Sequence, residues 1–209
     1  MFTATLRIPA LGLMLTLIMA GGFCPKSQPG TGDITDSGLF AYIAQSGGSS
    51  SLYVANEEGS ISLQIGLGAT PPVAPTDGVT LSPERGRLAF AMPPASGQLN
   101  DLFVINRNGT ALENITNTPD VHETDPDWAR VGNVVAYAAG GDIWTIRTDG
   151  TARTNVTDTA DRVEADPSWS PDGMNIAYTL NPDSPNSDIE VVSSIGGEPR
   201  TLVADPDLD

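Results

Sequence analysis

The chain has 209 residues, of which 39% are hydrophobic and 17% charged, so it is long and apolar enough to bury a core. This composition excludes a disordered acidic tail. Ten basic against 26 acidic residues give a formal net charge of −16, which repels phosphate backbones and argues against nucleic-acid binding. The same charge favours cations or basic partners.

The first 22 residues predict a secretory signal peptide. Arg7 is their one charged residue, the run from Ile8 to Ala20 is mostly apolar, and Ala20-Gly21-Gly22 supplies small residues for cleavage. The apolar run is too short to favour a permanent membrane span. We therefore predict an exported bacterial protein, located in the periplasm or associated with the outer envelope.

Cys24 is the single cysteine, so no intramolecular disulfide is possible. Its position after an apolar run makes it a candidate lipidation site, and residues 23–32 are rich in Pro, Gly and Ser, as a flexible tether is. Phe23 stands where a bacterial lipobox has Gly, Ala or Ser, which keeps plain secretion as the alternative. A lipid on Cys24 would be the chain's only attachment to a membrane.

A repeat of about 40 residues dominates the rest of the chain. Asp125-Pro126-Asp127-Trp128, followed by Val134-Val135-Ala136-Tyr137, recurs as Asp166-Pro167-Ser168-Trp169, followed by Ile176-Ala177-Tyr178. The tryptophans and the tyrosines of the two copies are each 41 residues apart. A fixed period of this length, built from short strands and turns, is typical of a β-propeller blade.

Four such repeats are predicted within residues 33–209, each an antiparallel meander, with approximate bounds 33–75, 76–123, 124–164 and 165–209. In the fourth, we predict an inner strand at Ser168–Ser170, followed by a tight turn at Ser170-Pro171-Asp172-Gly173. The predicted fold class is all-β, a β-propeller of four antiparallel meander blades. The ring is either small and closed, or open as a partial propeller with exposed blade edges.

The fourth repeat resembles the repeat of TolB-like β-propellers, also called the WD-repeat-like β-propeller repeat. The resemblance rests on Trp169-Ser170-Pro171-Asp172-Gly173, Ile176-Ala177-Tyr178 and Asp188-Ile189-Glu190-Val191, and it extends over residues 36–205. It implies an exported propeller with a binding or scaffold role. TolB itself carries an α/β domain ahead of its propeller. The resemblance is therefore to the repeat family, not to TolB, and it implies none of the Tol partners.

Carboxylates recur in the segments that link one repeat to the next. Because these segments are expected at one end of the central channel, they form a candidate site for a ligand or for Ca²⁺, which takes oxygen ligands. The alternative is that Asp125 and Asp166 brace the loops before Pro126 and Pro167. His122 interrupts the repeat, since its counterpart is Val163. The candidate residues are Asp120, His122, Glu123, Asp125, Asp161, Glu164 and Asp166.

No complete catalytic set appears in the sequence. One His and one Cys exclude a histidine-rich zinc site, and neither a nucleophile elbow nor a phosphate-binding glycine loop is present. We expect a non-enzymatic binding or scaffold module without a cofactor, for a protein partner or a small ligand, with self-association through open blade edges as a further option. The alternatives are the propeller part of a larger or truncated enzyme, of serine peptidase or polysaccharide lyase type, and a Ca²⁺-stabilised structural module.

Overall fold

A computed structural model describes residues 2–7, 14–19, 38–46, 49–57, 59, 62–67, 75–95, 99–184 and 187–203. Every regular element in these ranges is a β-strand. In the same ranges no helix has the length and apolar character needed to cross a membrane. The predicted lipidation site Cys24 and the predicted tether 23–32 lie outside the described residues.

The strands form four antiparallel sheets, each composed of strands consecutive in the chain. The first contains β1 (Phe2–Arg7), β2 (Met14–Met19), β3 (Phe40–Ser46), β4 (Ser49–Ala55) and β5 (Ser62–Ile65), and the second contains β6 (Asp77–Leu81), β7 (Arg87–Met92), β8 (Asp101–Asn106) and β9 (Glu113–Asn114). The third contains β10 (Glu123–Trp128), β11 (Val134–Ala139), β12 (Asp142–Arg147) and β13 (Thr154–Asn155), and the fourth contains β14 (Glu164–Trp169), β15 (Asn175–Leu180), β16 (Asp188–Ser193) and β17 (Arg200–Val203).

These sheets confirm the predicted all-β fold of four antiparallel meander blades. Within the described residues, extensive contacts between sheets join each sheet to its successor: β3 meets β6, β6 meets β10, and β10 meets β14. No extensive contact between described strands joins the fourth sheet to the first, so a closed ring is not observed. The strands β1 and β2 fall within residues 1–22, where the signal peptide remains a prediction.

The inner strand of the fourth blade is longer than the sequence predicted. In the fourth sheet this strand runs over Glu164–Trp169, whereas the sequence predicted Ser168–Ser170. Proline lacks an N–H for the strand ladder, so regular pairing cannot continue through Pro167. A β-bulge between Ala165 and Ser168 takes Pro167 out of regular pairing, and the strand continues on both sides.

The turn after the inner strand has the geometry expected of Ser-Pro-Asp-Gly. The Gly173 N–H donates to the Ser170 carbonyl at 3.0 Å, and Gly173 has φ +72°. The Asp172 carboxylate accepts hydrogen bonds from the Ser170 hydroxyl at 2.6 Å and from the Met174 N–H at 3.0 Å. These two hydrogen bonds lower the pKa of Asp172. Asp172 therefore stabilises the turn locally.

The hydrophobic core is divided into clusters that lie between neighbouring sheets. Trp128 is buried between the second and third sheets, where the Arg87 guanidinium lies 5.0 Å from its ring centroid. Trp169 lies between the third and fourth sheets, and its indole N–H donates to the Asp127 carbonyl at 3.1 Å. The two tryptophans recur in the sequence because each one packs a new blade against the preceding blade.

Candidate functional site

The inner strands of the second, third and fourth sheets border a cleft of about 420 Å³. Its walls combine buried prolines, carboxylates of the inner strands, and part of the fourth sheet. The lining residues are Gly78, Val79, Asp125, Pro126, Asp166, Pro167, Ser168, Ala177, Tyr178, Thr179 and Ile189.

A bulge with one left-handed residue shapes each inner strand at this cleft. Asp125 and Asp166 occupy this position in the third and fourth sheets, with φ values of 52° and 51°. Gly78 occupies it in the second sheet, with φ 47°. Aspartate and glycine tolerate this conformation better than other residues do. The repeated Asp-Pro pair therefore turns the inner strands of the third and fourth sheets and places a carboxylate from each beside the cleft.

Gly78 is required by close packing as well as by its backbone conformation. A Cβ atom at Gly78 would lie 2.5 Å from Cδ of Pro126 in the neighbouring inner strand. This separation is shorter than any ordinary carbon contact, and the proline ring cannot move away as a flexible side chain does. The inner strand of the second blade can therefore pack this closely against Pro126 of the third blade only with glycine at position 78.

Burial and mutual repulsion alter the ionisation of the carboxylates around the cleft. Burial, followed by the charge of Asp77, raises the pKa of Asp125 to about 6, although the Thr124 hydroxyl, 2.8 Å from the carboxylate, acts to lower it. The Asp166 charge adds to the repulsion. Burial also raises the pKa of Asp77, whereas the Gly78 N–H and His122 lower it. The cleft thus gathers negative charge that its own residues do not neutralise.

Glu123 and Glu164 lie away from the cleft, in the interior of the blades. Glu123 is fully buried, accepts hydrogen bonds from the Thr116 and Thr118 hydroxyls, and lies 3.6 Å from the Arg153 guanidinium. Burial raises its pKa, and the two threonine hydroxyls oppose that rise. Glu164 is also buried and accepts a hydrogen bond from Thr159 at 2.8 Å. Both glutamates tie an inner strand to the loop that precedes it.

The other predicted residues occupy the loops just before the inner strands. Asp120, Asp161 and His122 are exposed, and none of them lines the cleft. Nδ1 of His122 accepts a hydrogen bond from the Asn100 N–H at 3.0 Å. Of the seven candidates, the structure brings Asp125 and Asp166 together at the cleft, with His122 close enough to influence the pKa of Asp77.

Calcium binding remains a prediction. Among the described residues, no group of three or more His, Cys, Asp or Glu side chains is arranged to hold a metal ion. Asp77, Asp125 and Asp166 interact through their charges, but they do not form such a group.

Sequence reasoning missed Asp77 and Thr179 as residues in or near this site. Gly78 is the bulge residue of the second blade, and Asp77 precedes it. This segment lacks the Asp-Pro pair by which the corresponding segments of the later blades were recognised. Thr179 lines the cleft from the second strand of the fourth sheet. An alignment of the second repeat on its Leu88-Ala89-Phe90 strand would have placed Gly78 opposite Asp125.

Comparison with known proteins finds similarity in structure and none in sequence. No protein-family model matches the chain, and no curated protein sequence matches it either. A solved structure of a protein assigned as TolB in Agrobacterium tumefaciens is similar with a TM-score of 0.65 and 19% identity, covering 92% of this chain and 74% of that chain. A chain in a nidogen/laminin complex gives a TM-score of 0.62 and 17% identity, covering 81% of this chain and 63% of that chain.

A third similarity is to a chain from a structural study of two prolyl endopeptidases. The TM-score is 0.58 at 17% identity, with 86% of this chain and 29% of that chain covered. At these identities the likeness establishes the fold alone. The protein has a TolB-like β-propeller fold, as the repeat predicted.

Proposed function

We propose that this protein is an exported, non-enzymatic binding module whose cleft receives a basic segment of a protein partner in the cell envelope. The observation that carries the proposal is the set of carboxylates Asp77, Asp125 and Asp166 around one cleft. Their mutual repulsion is relieved when a cation enters. Export is supported by the sequence of residues 1–22 and by the resemblance to TolB-like repeats.

The chemistry of the cleft favours an extended peptide. Pro126 and Pro167 give it buried apolar walls, while Asp125 and Asp166 supply charge at its rim. Lysine and arginine suit such a surface because their aliphatic stems pack on apolar groups while their cationic ends reach the carboxylates. The net charge of −16 adds long-range attraction for basic partners.

The test is calorimetric titration of the purified protein with a tetralysine peptide at low salt. We expect binding that is lost at high salt and absent with tetraglutamate. Asp125→Asn combined with Asp166→Asn should weaken binding about tenfold or more, equivalent to about 1.4 kcal/mol.

The matched control is Asp120→Asn combined with Asp161→Asn. It makes the same change in net charge at exposed residues outside the cleft, so it should weaken binding less than about threefold because distant charges are screened. Equal losses in the two double variants would mean that tetralysine senses the whole acidic surface and that the cleft is not its site.

The second candidate function is that of a propeller belonging to a larger enzyme, and it is favoured by the similarity to a prolyl endopeptidase chain. His122 is the chain's one histidine, and its Nδ1 already accepts a backbone hydrogen bond. We expect no hydrolysis of a chromogenic prolyl peptide and no formation of unsaturated uronates from acidic polysaccharides. Turnover that disappears in His122→Ala would overturn the non-enzymatic proposal.

A further inference from the structure

The second, third and fourth sheets each have two tight turns at one end, which we call the turn end. The first turn follows the inner strand, the second follows the third strand, and a backbone hydrogen bond joins them. In the third sheet the Thr148 N–H donates to the Asn133 carbonyl at 3.0 Å, and in the fourth the Ser194 N–H donates to the Met174 carbonyl at 2.9 Å. The segments that link the sheets lie at the opposite end, the linker end, because the strands of a meander run in alternating directions.

Three large apolar side chains are exposed at the turn end of the third and fourth sheets. Val131 is 54% exposed, Met174 66% and Ile195 91%. Ile195 is next to Ser194, which hydrogen-bonds to Met174. Val131 covers Gly173, where an added Cβ atom would clash with the Cγ2 atom of Val131, and Gly173 directly precedes Met174. The three side chains therefore form one continuous surface, which we call the turn patch.

Each residue of the turn patch departs from the repeat. The first turns of the three sheets align on a hydrogen bond from an N–H to the carbonyl five residues later, and the second turns on one to the carbonyl three residues earlier. In this alignment the equivalents are polar residues or glycine: Glu84 and Asp172 for Val131, Gly86 and Asn133 for Met174, and Asn108 and Asp149 for Ile195. Residues that build a blade recur from sheet to sheet, so apolar replacements at three adjoining positions indicate a role outside the blade.

The replacement at Ile195 also has a structural cost. In the second and third sheets, Asn108 and Asp149 accept hydrogen bonds from the backbone N–H two residues later, at 3.1 Å and 3.0 Å. Isoleucine has no side-chain acceptor, so the turn of the fourth sheet loses this hydrogen bond and presents an apolar side chain to water. Such an exchange is favourable where the side chain is covered by an apolar environment outside the protein.

The two ends of the molecule differ in charge. The turns of the third and fourth sheets contain two arginines and three carboxylates, namely Arg130, Arg147, Asp149, Asp172 and Glu198. The linker segments of the same sheets, residues 115–125, 139–142, 156–166 and 180–188, contain one arginine and ten carboxylates. Six-residue strands hold the two ends about 20 Å apart, more than twice the Debye length of ~8 Å at physiological ionic strength. The turn patch is therefore screened from most of the negative charge of the chain.

The size of the turn patch favours lipid over protein as its partner. A stable protein–protein interface buries about 800 Å² on each partner, which three side chains do not supply. A bilayer has no such requirement, because each protruding apolar side chain that enters its interfacial region adds to binding. Arg130 directly precedes Val131 and is exposed, and arginine at a bilayer surface extends its cationic end to the phosphates.

We propose that the turn patch binds the surface of a phospholipid bilayer, with Val131, Met174 and Ile195 inserted among the headgroups. In this orientation the linker end and its cleft face away from the bilayer. The protein then binds lipid and a basic segment at opposite ends, and the inference does not depend on the proposed function.

Co-sedimentation with vesicles of phosphatidylethanolamine and phosphatidylglycerol at physiological ionic strength tests the proposal. We expect the wild type to bind, and Met174→Ser combined with Ile195→Ser to lower the partition coefficient about tenfold or more, because two inserting side chains are lost. The matched control is Leu99→Ser combined with Val163→Ser, at residues 40% and 52% exposed at the linker end. It should change the partition coefficient less than about twofold. Residues 1–37 are the same in all three proteins, so any binding through them is common to the three.

A tryptophan placed in the turn patch reports on insertion directly. Vesicles should shift the emission of Ile195→Trp to shorter wavelengths as the indole enters the bilayer interface, and should leave that of Val163→Trp unchanged. A wild type that does not bind vesicles, equal losses in the two double variants, or an unshifted Ile195→Trp emission would overturn the proposal. Self-association without lipid that Met174→Ser with Ile195→Ser abolishes would also overturn it, because the patch would then bind a second copy of the chain.

Discussion

Asp125 combines two properties that oppose one another energetically. Its side chain allows the left-handed backbone that the bulge before Pro126 requires. The same bulge holds the carboxylate in a partly buried position near Asp77, so its pKa rises to about 6. At neutral pH the ionised group therefore reduces the stability of the folded state. Ionised groups that destabilise the folded state in this way are characteristic of ligand-binding and catalytic sites.

Asp125→Asn should stabilise the protein at neutral pH. The folded pKa of about 6 lies above the ordinary value of 3.8, so the native state binds a proton more tightly, and stability falls as pH rises from about 4 to about 6. Asparagine removes that loss and also tolerates the left-handed backbone. We expect a gain of about 1 to 3 kcal/mol at pH 7.5 that vanishes near pH 3.5, measured by urea unfolding.

Asp172→Asn is the control, and it should change the stability at neutral pH in the opposite direction. The Ser170 hydroxyl and the Met174 N–H lower the pKa of Asp172, so its contribution to stability is present at neutral pH and is lost as pH falls through the lowered value. The variant should therefore be less stable at pH 7.5 and equal to wild type in strong acid. If Asp125→Asn instead lowers stability at every pH, the carboxylate makes contacts that outweigh its burial.

At single residues, the sequence predicted the location of Asp125 and Asp166 but not the orientation of Glu123 and Glu164. All four recur at the same interval of 41, and residues two apart on a regular strand share a face. Asp125 and Asp166 are themselves the left-handed residues of the bulges, so the alternation does not extend to them. Glu123 therefore points into the blade and Asp125 borders the cleft, a difference that no periodicity of the sequence expresses.

Neighbouring inner strands are linked by a hydrogen bond that repeats from blade to blade. The Trp128 N–H donates to the Thr80 hydroxyl at 3.2 Å, and the Trp169 N–H donates to the Asp127 carboxylate at 2.8 Å. Thr80, Asp127 and Ser168 are equivalent, since they pair with Ala89, Ala136 and Ala177. One polar side chain on each inner strand thus fixes the register of the next blade.

Asp127→Ala should weaken the packing of the fourth blade on the third. It removes the acceptor of a partly buried N–H, which we expect to cost about 1 to 3 kcal/mol in urea unfolding. Ser168→Ala, at the equivalent position of the fourth sheet, is the matched control and should change stability by less than about 0.5 kcal/mol. Similar losses in both variants would show that the hydrogen bond between blades is not the cause.

Strands in which apolar and polar residues alternate regularly were predictable from the sequence. Strands that contain a β-bulge were not. In the fourth blade the sequence predicts the second and third strands at Asn175–Leu180 and Asp188–Ser193, and the structure has strands with these bounds, because their apolar residues mark buried faces. The inner strand of the fourth blade begins at Glu164, earlier than the predicted Ser168, because the bulge at Asp166 and Pro167 interrupts its regular alternation. The outer strands β9 and β13 span only two residues each, since pairing there ends soon after the turn.

At the scale of the whole molecule, the repeat predicted four antiparallel sheets in chain order, and the structure has them. Whether a ring closes depends on the angle between neighbouring blades, which arises from side-chain packing and has no signature in a blade motif. Likewise, the cleft depends on three blades together, and no single repeat contains it.

The most direct test of the proposed binding site is amide chemical-shift mapping by NMR during titration with tetralysine at low salt. The account predicts shifts concentrated at the cleft, at Asp125, Asp166 and Thr179, that diminish below about pH 6 as the Asp125 carboxylate takes up a proton. Shifts spread over the exposed acidic turns, with the cleft residues unchanged, would contradict it.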